Sequence, residues 1–452
     1  MTRCSVSRLW QFRVLLLCCL LGSAVVPASA QLALGMSTTR TQYLTDEFLY
    51  VTITLENVGT QDVPFTRLLD PAVGIVSFEI MTPDGQSYSY EPRGRAALSQ
   101  GAPERSILWL APGGRYTNSV DLSYELRRVP GKATGMYEAD GVIKPLPGPD
   151  EVRPAMLLSA PGEYSIRACY AVPEGWPLDP VTLWSNELHV SVVEPTGTDL
   201  GAYNVILTSP YGEGREEPWN VAAEEAEYYE QVIRDYPTSI YAIYARRSLA
   251  SIHSSAGSHA LRGRPEALER FRSAAALFVS AAQQAGQTPL GMRVTEAAAK
   301  NLARLGRNAE AQALLEDAFI WPTTTDSDRT RLLAWMQHIE TGYFQREAGA
   351  VPMGATTQLS LPLRSFARAL GFSVGWVPDT KSAVISTSKV TASIQPGHDY
   401  IMVNGTRRVG VRAALEEDRL RVSPSVIATL MAEHYGKGMA NAFPTLIAKT
   451  EQ

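Results

Sequence analysis

Three kinds of hydrophobic patterning follow one another along the chain. Over residues 31–196 apolar positions recur with period two. Leu49, Val51, Ile53 and Leu55 interleave with Tyr50, Thr52 and Thr54, and Asn57-Val58-Gly59 ends the run. The same alternation returns at Val76, Phe78 and Ile80, at Leu108 and Leu110, at Tyr116, Val120 and Leu122, at Tyr164, Ile166, Ala168 and Tyr170, and at Leu188, Val190 and Val192. Pro83-Asp84-Gly85, Pro112-Gly113-Gly114 and Pro161-Gly162 punctuate these runs. Alternation buries one face of each strand, and short strands parted by Gly/Pro turns predict a two-sheet sandwich. The Gly- and Pro-rich stretch from Arg128 to Pro154 predicts a long loop.

Residues 197–216 read as a linker. Over 217–345 alanine becomes frequent and the period changes to that of a helix. Ala226, Tyr229 and Ile233 share one face, Tyr236-Pro237 closes that helix, and Thr238 or Ser239 can cap the next, which carries Tyr241, Tyr244, Ala245 and Leu249. Pro265 suits a first helical turn. Ala267, Phe271 and Ala274 follow at i, i+4, i+7, and after Gly306 the spacing repeats in Ala311, Leu315 and Ala318. From 346 to 452 the pattern is mixed. Leu361-Pro362-Leu363-Arg364 opens a helix with Phe366, Ala367 and Leu370, which Gly371 terminates. Phe372, Val374 and Trp376 alternate as a strand, Ala383-Val384-Ile385 and Ile394 mark two more, and Asn404-Gly405 turns a hairpin. Leu420 and Val422 lead to Pro424 and a last helix with Val426, Ile427 and Leu430. The predicted layout is multidomain: an all-β sandwich, a helical repeat or bundle, then a small α+β domain.

Each region also resembles something known. LENVG, LAPGGRY, APGEYSIRACY and SNELHVSVVEP resemble the immunoglobulin-like sandwiches of exported bacterial proteins. RGRPEALERFRSAAA and LGRNAEAQALLEDAF resemble the second helix of a tetratricopeptide repeat, but stand 44 residues apart, from Ala267 to Ala311, so an irregular bundle stays open. LPLRSFARALGFSVGW, PDTKSAVIS, MVNGTRR and RVSPSVIATLMA, in that order, resemble the copper amine oxidase N-terminal-like domain, also called the stalk domain. Pro424-Ser425 stands where that family usually repeats its Pro-Leu-Arg. The resemblance implies a non-catalytic appendage used for attachment or interaction; copper and the modified tyrosine of the oxidases belong to another domain. In this block Arg364 reads as a structural ion-pair former or a ligand contact, Trp376 as a core plug under the helix or a sugar platform, and Asn404-Gly405 as turn chemistry.

The ends of the composition change the picture more than its middle. Arg3, Arg8 and Arg13 precede the apolar block Val14–Leu21, and Ala28-Ser29-Ala30 supplies an A-x-A site, so residues 1–30 read as a secretory signal peptide. Its removal takes away three arginines and no acid, leaving 38 basic against 46 acidic residues, a net charge of −8. It also takes three of the four cysteines, so Cys169 has no intrachain disulfide partner. No basic region suits nucleic acid, and no later segment is apolar enough for a transmembrane span.

Catalytic motifs are not found. The histidines, at 189, 253, 259, 338, 398 and 434, lack metal-ligand spacing. Gly212-Glu213-Gly214 lacks a dinucleotide loop's third glycine, Gly131-Lys132 precedes alanine, and no Gly-x-Ser-x-Gly elbow appears. Ser386-Thr387-Ser388-Lys389 matches Ser-x-x-Lys but follows a strand. Tyr170, Trp176 and Trp184 read as loop pins or a sugar-stacking edge. The expectation is an exported protein, periplasmic, envelope-associated or extracellular, with no catalytic, cofactor or metal site, that binds protein or cell-wall polymer. The alternatives are a hydrolase with a site between domains and a protease-inhibitor-like protein acting through its long loop.

Overall fold

The computed structural model describes residues 32–69, 71, 75–92, 107–122, 126–130, 158–172, 178–208, 226–260, 265–340, 343–344, 361–416, 419–435 and 449–450. It has a strand-rich region, a helical region and a small α+β region, in that order. The signal-peptide reading, residues 131–154 of the expected loop and Trp176 lie outside the described residues.

In the first region β1 (Leu32–Ser37), β3 (Tyr50–Asn57) and β8 (Arg115–Asp121) form one antiparallel sheet. The facing sheet runs β2 (Gln42–Leu44), β12 (Leu188–Val193), β10 (Gly162–Val172), β5 (Val76–Met81), β6 (Ser87–Pro92), β9 (Leu126–Pro130), with β11 (Val181–Trp184) also on β10. The strands β4 (Val63–Thr66) and β7 (Ile107–Leu110) pair separately. Val51, Ile53 and Leu55 from one sheet and Phe78, Ile80, Ile166 and Val190 from the other are fully buried in one core. The predicted alternation is therefore the inward face of each strand. Asn57 ends β3 by accepting from Gly59 N through its side chain at 2.9 Å. Arg128 lies in β9, so the strand runs into the stretch read as a loop.

The residues read as a linker are a helix over most of their length. Here α1 spans Gly197–Leu207. Two glycines and a weak apolar stripe hide it in the sequence. Gly197 has φ +55°, and a Cβ on Gly201 would come within 2.4 Å of the Tyr236 ring, so that glycine permits contact and is no helix breaker here. Asp199 in α1 accepts from Ser239 Oγ at 2.6 Å and Ile240 N at 3.1 Å. Ser239 in turn caps α3 (Ile240–His259) by accepting from Tyr241 N at 3.1 Å.

The helices α2 (Ala226–Asp235), α3, α4 (Pro265–Ala285), α5 (Pro289–Arg304), α6 (Asn308–Phe319) and α7 (Asp326–Glu340) each pack on the next. Ala267, Phe271 and Ala274, and Ala311, Leu315 and Ala318, are buried as their spacing predicts. A Cβ on Gly257 would sit 2.9 Å from the Phe271 ring, so this glycine brings α3 close to α4. Thr325 and Asp328 form a reciprocal cap at the start of α7, Thr325 N donating to Asp328 Oδ2 at 3.1 Å and Asp328 N to Thr325 Oγ1 at 3.2 Å.

In the third region β13 (Leu361–Pro362) leads into α8 (Leu363–Ala369), and α9 (Pro424–Tyr435) follows β19 (Ala413–Glu416) and β20 (Arg419–Val422). The sheet runs β14 (Ser373–Val377), β15 (Ser382–Ser386), β16 (Thr391–Ile394), β17 (Tyr400–Val403), β18 (Thr406–Val409), β21 (Lys449–Thr450). From Pro424 to Ala432 every residue of α9 is buried, including Ser425 and Thr429. A helix apolar all round needs cover all round. The cover comes from three sides: β20 and α8 of its own region, α7 of the helical region, and β7 of the sandwich.

Candidate functional site

A few buried polar residues join the three regions. Asp326 starts α7 and accepts from Thr117 N at 2.9 Å and Thr117 Oγ1 at 3.0 Å, both on β8. Its other oxygen accepts from Tyr435 Oη on α9 at 3.1 Å and lies 3.5 Å from Arg329. One carboxylate thus holds all three regions, at a helix N-terminus where negative charge is favoured. Tyr116 and Tyr435 meet edge to face at 6.1 Å beside it, and burial with the adjacent Asp326 pushes both phenols up, keeping them neutral. Phe319 of α6 stacks on Phe366 of α8 at 4.1 Å, and Arg421 lies 3.4 Å from Glu316.

A second junction fastens the sandwich to the helices. Tyr241 Oη donates to Thr45 O at 2.6 Å, Tyr244 Oη to Glu47 Oε1 at 3.2 Å, and Leu44 N to Glu47 Oε2 at 2.8 Å. Arg40 pairs with the same, fully buried Glu47. Phe48 meets Tyr244 edge to face at 4.6 Å. Tyr50, at the start of β3, is buried too, in the cluster of the helices, while Thr52 and Thr54 on the same face stay half-buried as the alternation predicts. Asp46 accepts from Tyr203 Oη at 2.7 Å; burial lifts its carboxyl to about 6, against the opposing pull of that hydrogen bond.

An open cleft of about 410 Å³ lies between α3, α5 and α7. Ser251, Ser254, Ser255 and Ser258 line it from α3 at i, i+3, i+4, i+7, and Arg293, Lys300 and Arg304 from α5 at i, i+7, i+11. Both spacings place their residues on one helix face. Arg304 Nη1 donates to Ser254 Oγ at 3.1 Å, and Arg293 Nη2 to Ser119 O at 3.1 Å. Lys300 Nζ sits 4.4 Å from the centre of the Trp335 ring. Glu296 is the carboxylate of the lining, and it is held by Arg331 at 2.7 Å. Burial alone would lower Arg331, but Glu296 and Asp328 outweigh it and keep the guanidinium charged. The cleft therefore carries excess positive charge in a chain whose overall charge is −5.

The residues singled out in the sequence fall elsewhere, each on its own element. Arg364 is exposed in the first turn of α8, and among the described residues it makes no hydrogen bond or ion pair. Trp376 is 42% exposed, which corrects its assignment as a core plug. Pairing opposite Ala383 keeps it on the face that Ile385 buries, but α8 has only seven residues and leaves this end of the edge strand β14 uncovered. Asn404 and Gly405, at φ 48° and 78°, form the two-residue hairpin turn expected, and Asn404 Oδ1 accepts from Thr391 N at 2.8 Å. The Ser-x-x-Lys lysine, Lys389, pairs with Asp62 of the sandwich at 2.9 Å, while Ser386 shares a hydrogen bond with Ser373 at 2.7 Å. Cys169 is buried in β10, where burial pushes its thiol up. Among the described residues no group of three or more His, Cys, Asp or Glu could hold a metal ion.

Comparison with known proteins adds one family. Residues 345–435 match the copper amine oxidase N-terminal domain. That domain is a non-catalytic stalk in the oxidases, and the match covers under a quarter of this chain. No curated protein matches. Among solved structures, the chain is similar to the native conformation of E. coli alpha-2-macroglobulin at 11% identity and a TM-score of 0.17, covering 71% of this chain and 22% of that one. Among the described residues no helix is long and apolar enough to cross a membrane. The stalk module thus accounts for β13, α8, β14–β20 and α9. The cleft lies outside it, and it was visible in the sequence only as a serine stripe and a cation stripe inside alanine-rich helices.

Proposed function

We propose that this is an exported, non-catalytic scaffold that binds protein or cell-wall polymer outside the cytoplasm. In this reading the strand-rich region is an immunoglobulin-like spacer, the helices are tetratricopeptide-like and carry the binding surface, and the stalk module attaches the assembly. The carrying observation is the junction at Asp326. Its buried carboxylate is occupied by groups from the other two regions, so the chemistry there serves to hold a rigid body together. The stalk-domain match supports an appendage role for the last region.

The full chain, incubated with purified cell-wall sacculi and separately cross-linked to envelope protein, is expected to be retained by one of them without consuming it. Turnover on a panel of glycan, peptide and ester substrates would refute the reading.

A further inference from the structure

The cleft holds two polar groups of opposite character with no partner among the described residues. Asn301 is 1% exposed; its Nδ2 donates to Ala297 O at 2.9 Å, while its Oδ1 accepts nothing. Trp335 Nε1 is a buried donor that gives to nothing. Leaving such groups unmatched costs about 1–3 kcal/mol each, so a ligand that satisfies them gains that difference.

The serines sharpen the requirement. Ser251 Oγ donates back to Arg247 O and Ser258 Oγ to Ser254 O, both at 2.9 Å. Their protons are engaged, so towards the cleft they offer acceptors. The lining therefore presents acceptors from Asn301, Ser251 and Ser258 together with donors and positive charge from Lys300, Arg293 and Trp335. A phosphodiester backbone carries acceptors only and leaves the first set unmet. An extended polypeptide supplies N–H and C=O groups in alternation. The cations spread over roughly 16 Å of the α5 axis, about five residues of extended chain.

We propose that this cleft binds an extended acidic peptide segment. Main-chain N–H groups of the segment meet Asn301 Oδ1 and the serine oxygens, main-chain carbonyls meet Trp335 Nε1, and carboxylates meet Lys300 and Arg293. The proposal rests on the scaffold reading and names what its helical surface takes.

The test is fluorescence anisotropy on the full chain with a labelled short peptide of alternating glutamate and alanine, against inorganic polyphosphate as a polymer without N–H groups. The peptide is expected to bind in a salt-sensitive way, and Lys300→Glu to weaken it at least about tenfold. Asn301→Leu, which removes the acceptor without leaving an orphan, is expected to weaken peptide about three- to tenfold while melting unchanged or higher. No peptide binding, or equal binding of polyphosphate with Asn301→Leu silent on both, overturns the peptide assignment. Retention on sacculi or capture by envelope protein in the same preparation would then leave the scaffold reading standing; turnover on the substrate panel would remove that reading separately.

Discussion

The Asp326 junction and the α3–α5 cleft are built from the same materials and end in opposite states. Both gather charge and hydroxyls on helices of the same region. At the junction a single carboxylate meets donors from β8 and α9, and the surrounding tyrosines are fully packed. In the cleft an amide oxygen and an indole N–H stay unmatched beside a row of cations. A satisfied buried network stabilises a fold, whereas unmatched groups beside a cleft are a cost that binding can recover. The contrast separates polar residues that hold the molecule together from those that are available to something else.

The contrast breaks if the junction proves dispensable. Asp326→Ala leaves Thr117 N, Tyr435 Oη and Arg329 without their acceptor, and is expected to destabilise by about 3–5 kcal/mol in urea unfolding. A loss below about 1 kcal/mol would mean the regions are not joined there.

A middle-sized effect belongs to the second junction. Asp46 holds its proton up to about pH 6 in the folded chain, but only to about 4 when unfolded. Between those values the folded state binds more protons, so this group's stabilising contribution is present below about pH 4 and is lost as pH rises to about 6. The expected change is on the order of 3 kcal/mol. Asp46→Asn should flatten that slope, read as the difference between variant and parent in unfolding series at several pH values. A parallel pair of curves would show that the carboxyl is not confined by burial.

The smallest effect is expected at the open end of the stalk module. Trp376→Ser should cost less than about 1 kcal/mol, because the residue is 42% exposed at an edge strand. A loss near that of a core aromatic, about 3–5 kcal/mol, would restore it to the interior.

The same division explains what could be read from the sequence. Alternation at Val51, Ile53 and Leu55, the Ser239 cap and the Asn404-Gly405 turn are local signals, and each is found where its chemistry demands. Alternation also assigned Trp376 to the correct face of β14, but it carries no information about how far a covering helix reaches. Helix α1 was hidden because Gly197 and Gly201 answer to a turn and to Tyr236, contacts invisible in a local window. Tyr50 departs from the alternation for the same reason: it joins a buried cluster with Tyr241 and Tyr244, nearly 200 residues away. The cleft was missed because small hydroxyl side chains in alanine-rich helices carry little pattern, and unmatched atoms emerge only once neighbours are in place.

Because α9 is wrapped by elements of every region, the molecule transmits load as one piece. A pull applied to the stalk module reaches the sandwich through the described packing around α9. Tension on an anchored copy would therefore be borne by side-chain packing, and the cleft on α5 would keep its shape until that packing yields. On the reading proposed above, an attachment module and a binding cleft joined by this packing would form a strut that holds a partner at a set distance and orientation.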